Sequence, residues 1–331
     1  MTSLLTILSW ARPHGSQEVA QFCRDYLDTV PGMTRDAFGN RLLRCPNTDG
    51  SPSRVLWSCH VDTVHAKGGR QSPVLGADGV ITLSDGKPGQ CLGADDGAGV
   101  WLMLEMIAAK RPGLYVFHQG EEVGCLGSKW IVEHTPELLA DIDAAIALDR
   151  AGFSDVITHQ SGGRCASDTF GQALMVALNT TWGLTYELCD GGVYTDTIEY
   201  RGIVPECINL SVGYDRQHGP RETQDYTFLC GLRLALLSLD FRALPICRVP
   251  SDAWPRQSLR GLTAWDSEGD YVGGGFGERF GDDDSESLFD LCASHPAVAA
   301  SLLRELGATV ADFADEAYAL TGDYLDMEGR Y

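Results

Sequence analysis

The chain predicts an α/β protein: a mostly parallel mixed sheet sandwiched between helices, followed by an acidic, mainly helical C-terminal extension. Three observations carry this. Short apolar runs at 54–59, 114–118, 143–148 and 207–213 alternate with longer segments of helical period. These runs are apolar on both faces, as strands covered on both sides must be. Each is also followed by side chains of one kind: His60 and Asp62, Glu121 and Glu122, Asp149, and His218. In open α/β sheets, chemistry gathers at the carboxyl ends of strands.

Taken in order, residues 2–12 and 16–29 predict helices, the second with Val19, Phe22, Tyr26 and Leu27 on one face. A turn through Pro31 and Gly32 leads to a hairpin over 34–44 that bends at Gly39-Asn40. Strand 54–59 delivers His60 and Asp62. A small hairpin at 73–84 turns at Asp78-Gly79, and a glycine-rich turn with Asp95 and Asp96 opens a helix to Lys110. Strand 114–118 delivers Glu121 and Glu122, a helix starts near Ser128, and strand 143–148 delivers Asp149. A helix over 166–182, a loop over 190–196 and strand 207–213 lead to His218. The helical segment 223–241, with Phe228, Leu232, Leu236 and Leu239 on one face, closes a first domain at 1–241.

Residues 242–331 form the second unit, set off by Pro245, Pro250 and Pro255. Beyond them, residues 261–331 hold 16 acidic side chains against three arginines, a net of −13 within the chain's −21, so the excess acid is concentrated there. Apolar periodicity at 295–306 and 310–320 predicts two short helices with acidic outer faces. Such a charge disfavours nucleic acid and anionic lipid as partners. No apolar run approaches the roughly 20 residues of a membrane span, and the start lacks a basic segment followed by an apolar one. The eleven cysteines are odd in number and scattered, some of them within strands. The reading is a soluble, cytoplasmic protein with reduced thiols. Self-association into a homo-oligomer stays open.

His60, Asp95, Glu122, Asp149 and His218 offer two imidazoles and three carboxylates, enough for two divalent ions if one carboxylate bridges. An oxygen-rich set with one imidazole per ion suits zinc and could accept cobalt or manganese. Paired ions polarise a scissile carbonyl and bring the pKa of a shared water near neutrality. Asp62 could hold the tautomer of His60. Glu121 could take the water's proton and pass it to a leaving nitrogen. From the residues alone, either Asp95 or Asp96 could be the bridge.

His60-Val-Asp62-Thr, Gly93-Ala-Asp95-Asp96-Gly, Gly120-Glu121-Glu122-Val-Gly, Leu148-Asp149 and the late His218 resemble, in order and spacing, the co-catalytic di-zinc exopeptidases. These include tripeptidase T, the acetylornithine and succinyl-diaminopimelate deacylases, glutamyl aminopeptidases and compact leucyl aminopeptidases. The resemblance covers roughly residues 1–241. It implies that Asp95 bridges two zinc ions, that His60 and Asp149 complete one site, and that Glu122 and His218 complete the other. It further implies Glu121 as general base, Asp62 as the residue orienting His60, and Asp96 as support behind the ligands or helix cap.

Deacylases and dipeptidases of that group carry a separate lid domain between the ligands that match Asp149 and His218. Here 69 residues separate the two, room for a helix, a strand and loops. The expected activity is therefore an aminopeptidase acting on short peptides. The alternatives are an amidohydrolase of N-acyl amino acids or another small amide, and, remotely, a non-catalytic binding protein on the same fold. The loop at 191–196 resembles a Gly-Gly-Thr-Asp stretch that borders the pocket, so Asp196 or Tyr194 could touch substrate, or the loop could be a structural turn. His65, His118, His134 and His159 read as surface or packed histidines, and Cys59 and Cys125 as small apolar residues. Arg150 and Arg221 could orient a carboxylate or an oxyanion.

Overall fold

Eight strands make the central sheet of the computed structural model, which describes residues 2–250 except 85, 87–89 and 182. They are β1 (Thr34–Arg35), β2 (Arg41–Cys45), β3 (Val55–His60), β4 (Gly113–His118), β5 (Ala144–Arg150), β6 (Asp155–Ile157), β7 (Glu187–Cys189) and β8 (Glu206–Ser211). Their spatial order is β7-β6-β8-β5-β3-β4-β2-β1. The middle four, β8, β5, β3 and β4, are parallel. Antiparallel strands finish the sheet, with β2 against β4, β1 against β2 and β6 against β8. His60 pairs with His118 in register, and Ala144 lies opposite both Val55 and Glu206, so the parallel strands end at one edge.

Alternation along these strands builds two cores. Trp57, Cys59, Tyr115, Phe117, Ile146 and Leu148 face one side, where they meet α1 (Leu4–Leu8), α2 (Gln17–Phe22), α3 (Ala94–Ala108), α5 (Asp168–Leu178) and α6 (Tyr226–Ser238). Leu56, Leu114, Val116 and Ala145 face the other, against Ile131 of α4 (Leu126–His134) and Tyr200 and Val204. A period of two with both phases apolar is why these strands read as continuous apolar runs. At roughly 25 cal/mol per Å² of buried apolar surface, these two layers dominate the stability of the fold. The helix cover is pinned by an ion pair, Arg233 of α6 to Glu105 of α3 at 2.7 Å.

Several expectations need correction. The helix at 2–12 is a single turn, Leu4–Leu8, and Trp10–Ala11 is extended against Gly69–Arg70. The helix at 16–29 is α-helical only to Phe22 and continues through Cys23–Leu27 as a π-turn. The strands β6 and β7 were not anticipated because three residues are too few to show a period. Residues 223–225 are a strand that precedes α6, paired with Tyr214–Asp215 on one side and Val80–Leu83 on the other. Past 241 the chain stays bound: Arg248 donates to the carbonyls of Val204 at 2.8 Å and Arg201 at 2.6 Å, and Glu206 accepts from the Cys247 and Arg248 amides. The acidic helices expected at 295–306 and 310–320 lie outside the described residues. The ten cysteines among the described residues are free thiols, and no helix among those residues is long and apolar enough to cross a membrane.

Candidate metal centre

The turn before α3 places the two aspartates. Gly93 adopts a left-handed conformation, φ +70°, which a glycine allows without strain, and the peptide between Asp95 and Asp96 is cis. Asp96 faces inward and ties helix to sheet, accepting from the Gly99 amide at 2.8 Å and from the His60 amide at 3.1 Å. Gly99 has to be glycine, since a Cβ there would lie 2.5 Å from both Asp96 Oδ1 and the Leu148 carbonyl. Asp95 turns toward the two imidazoles, and its two oxygens reach opposite ways. Oδ1 lies 3.0 Å from His60 Nε2 and Oδ2 lies 3.0 Å from His218 Nε2. Asp149 Oδ1 stands 3.5 Å from His60 Nε2, and Glu122 Oε2 stands 3.3 Å from His218 Nε2. Two triads that could each hold a metal ion result, His60-Asp95-Asp149 and Asp95-Glu122-His218, each with its donor atoms within 4.8 Å of one another.

The donor set suits divalent cations, and bound cations would relieve its crowded negative charge. Burial is the largest influence on the Glu121, Asp96 and Asp149 carboxyls and pushes each up; neighbouring carboxylates push the same way. Glu122 rises to about 7, first through burial and then through Asp95. On His60, burial opposes charge, yet Asp149, Asp95 and Glu121 outweigh it and hold the imidazole well above its usual range. His218 is driven to about 11 against burial by Asp95 and Glu122. A group of acids that retains protons on its own imidazoles and carboxyls is short of positive charge. Glu122 Oε1 is buried without a hydrogen-bond partner, as expected of an oxygen shaped for a cation.

Around the triads a second layer of bonds fixes the ligands. His60 Nδ1 donates to the backbone carbonyl of Asp62 at 2.9 Å, while the Asp62 carboxylate is 3.9 Å away. That carboxylate instead accepts from the Gly120 amide at 2.8 Å and the Glu121 amide at 3.3 Å. Asp62 thus orients His60 through its main chain and aims the Glu121 turn through its side chain. Glu121 Oε2 lies 3.9 Å from His60 Nε2, and Cys125, expected only to pack, points its thiol at Glu121 Oε1 at 3.6 Å. Asp149 receives the Thr195 hydroxyl at 2.7 Å and the Tyr214 hydroxyl at 3.2 Å, and its main chain is clasped by the Asn209 amide group. Arg12, wholly buried, donates from Nε to the Val61 carbonyl at 2.8 Å and from Nη1 to Ile7 at 2.8 Å. Glu222 accepts the Gly93 and Asp95 amides.

Other candidates lie elsewhere. Asp196 is buried against His118, 3.2 Å from Nδ1, behind the ligands rather than among them. Tyr194 bonds Glu199, and Arg150 is paired with Asp155 at 2.9 Å. His118 fits a neutral tautomer, with Nδ1 donating to the Cys59 carbonyl and Nε2 accepting the Tyr200 hydroxyl at 2.6 Å. Burial drives its pKa down to about 3. It also pushes Asp196 up to about 8, so both are neutral and their contact is not an ion pair. A histidine depressed from 6.5 contributes stability that is complete above about pH 6.5 and is lost as pH falls toward 3. At about 1.4 kcal/mol per pH unit, metal-depleted protein should lose about 2–3 kcal/mol more than a His118→Gln variant between about pH 7 and pH 4.5. Denaturant unfolding at both pH values measures this, and parallel losses would contradict it.

Comparison with known proteins agrees with this geometry. Residues 40–187 match the model of Peptidase family M28. The matched segment carries four of the five proposed ligands, all but His218, and supports a metallopeptidase of the exopeptidase type. The fold is that of the co-catalytic zinc exopeptidases. Among solved structures similar to the chain are aminopeptidase PepT from Bacillus cereus ATCC 10987, at TM-score 0.56 and 15% identity over 71% of this chain and 95% of that one, and a tripeptidase from Staphylococcus aureus subsp. aureus Mu50, at TM-score 0.58 and 16% identity over 71% and 95%. A third, PhTET1-12s, described as a dodecamer, aligns at TM-score 0.51 and 15% identity over 72% and 98%. No curated protein sequence matches the chain.

Of the groups that surround the two triads, Glu222, Thr195, Tyr214, Asn209 and Arg12 were not anticipated from sequence. Glu222, Tyr214 and Thr195 carried a signal, since each lies within four residues of a position singled out for another reason.

Proposed function

We propose that the protein is an aminopeptidase acting on short peptides, with two zinc ions held by His60, Asp95, Glu122, Asp149 and His218. The observation that carries the proposal is the Asp95 carboxylate, whose two oxygens each lie 3.0 Å from a different imidazole. Bound there, two divalent ions would polarise the scissile carbonyl and make a water acidic enough to attack near neutral pH. The remaining work falls to this chain's own groups. Glu121, raised by burial, accepts the water's proton on its carboxylate and returns it to the departing amine. Thr195 and Tyr214 keep Asp149 in one orientation, and the Asp62 carboxylate holds the Glu121 turn.

The absence of a lid between Asp149 and His218 supports an aminopeptidase over a deacylase. Among the described residues that interval holds β6, α5, β7 and β8 of the central sheet and its cover, a small hairpin at 159–164, a 3-10 helix at Asp196–Gly202 and the short strand Tyr214–Asp215. The full chain, supplied with zinc, cobalt or manganese, should release amine from amino-acid anilides. Release from N-acetyl amino acids alone would overturn the aminopeptidase reading. His60→Ala and His218→Ala should each lower the metal content by one ion per chain in elemental analysis, and unchanged content in either would remove that residue from the ligand set. Self-association belongs to the same reading, supported by the dodecamer described for PhTET1-12s, and sedimentation of the full chain tests it.

A further inference from the structure

We propose that Glu222 is a positioning residue that fixes how far His218 reaches toward Asp95 and Glu122. The inference rests on the two-cation reading above. His60 and Asp149 stand on strands of the central sheet, whereas His218 sits in the loop of a hairpin between Tyr214–Asp215 and Thr223–Asp225. The His60 side chain is 1% exposed and that of His218 is 49% exposed, so packing holds the first and not the second. The loop is also conformationally costly, because Arg216 and His218 adopt φ of +55° and +65°, the left-handed region that side chains other than glycine enter at a penalty. Something has to hold it in place.

Glu222 ends that loop, closing a turn through its amide to the Gly219 carbonyl at 3.1 Å. Its side chain is buried, 1% exposed, and points across to the turn before α3. Oε2 accepts the Gly93 amide at 2.9 Å and Oε1 accepts the Asp95 amide at 3.0 Å. Both oxygens thus hold main-chain donors of the Asp95 turn. The carboxylate is a strut with the His218 loop at one end and the backbone of Asp95 at the other. The far side of the Asp95 turn is tied independently, through Asp96 to the His60 amide. Loss of the strut should therefore loosen the Asp95-Glu122-His218 triad and spare His60-Asp95-Asp149. Glu222→Gln keeps the size but turns an amino group toward a backbone N–H, so one of the two bonds is lost.

Calorimetric titration of metal-depleted full-length protein with zinc reads the two binding steps separately. Glu222→Gln should weaken one step by about tenfold or more, the range expected when a group supporting a ligand is lost, and leave the other within about threefold. Glu222→Asp, which keeps the charge on a shorter arm, should recover part of that loss. In a His218→Ala background, Glu222→Gln should not weaken the remaining step further. Equal weakening of both steps, no weakening, or loss of the fold in both variants would overturn this inference alone. Wild-type protein that takes up fewer than two ions would overturn the two-cation reading on which it stands.

Discussion

Replacing Glu121 by glutamine is expected to leave two ions bound and to reduce turnover by about two to four orders of magnitude, the usual contribution of a positioned general base. The geometry makes the separation of effects possible. Glu121 is in neither ligand triad, yet its Oε2 lies 3.9 Å from His60 Nε2, beside the cleft the triads enclose. Glutamine has the same shape and keeps the carbonyl oxygen that can accept the Cys125 thiol, so the turn carrying Glu122 is preserved. What it lacks is a lone pair basic enough to take a proton. Burial, the largest influence, raises the carboxyl above its usual range, which makes its carboxylate a stronger base. Turnover and metal content measured on one preparation decide the matter. Turnover near wild type with two ions present would remove Glu121 from the reaction, and loss of an ion would make it a ligand instead.

The layout of the site was legible in the sequence because strand ends advertise themselves. Residues 54–59, 114–118 and 143–148 are apolar in both phases, so the first polar side chains after them are conspicuous. That logic found His60, Glu121, Glu122 and Asp149. It failed for groups whose partners are main-chain atoms. The Asp62 carboxylate was assigned to His60, whereas it holds the Gly120 and Glu121 amides, and a contact to backbone N–H leaves no mark on side-chain spacing. Arg12 offered no signal either, because a wholly buried arginine that donates to the carbonyls of Val61, Ile7 and Trp10 looks in sequence like any surface arginine. The fold shows the same division. Long apolar strands were found, while three-residue β6 and β7 and the π-turn at Cys23–Leu27 depend on neighbours distant in the chain.

Asp95→Asn should have the broadest effect of any single change, because Asp95 alone contributes to both triads. His60→Ala or His218→Ala removes a donor from one half, but an amide at position 95 offers one weak oxygen where a charged carboxylate offered two. Breaking a buried charged contact by removing one partner costs about 3–5 kcal/mol, which is two to three and a half orders of magnitude in affinity. Here the loss falls on each ion. The consequence appears even without an activity assay. Ligands that bind only the folded state stabilise it by about 2.7 kcal/mol at a hundredfold excess over Kd, so zinc should raise the melting temperature of the wild type and leave that of Asp95→Asn nearly unmoved. Burial opposes charge on Asp95, but His218 and His60 prevail and hold its carboxyl low, so it is ionised and ready for cations across the physiological range. A variant that still bound two ions with wild-type affinity would show that Asp95 does not bridge them, and one that lost a single ion would confine it to one half of the centre.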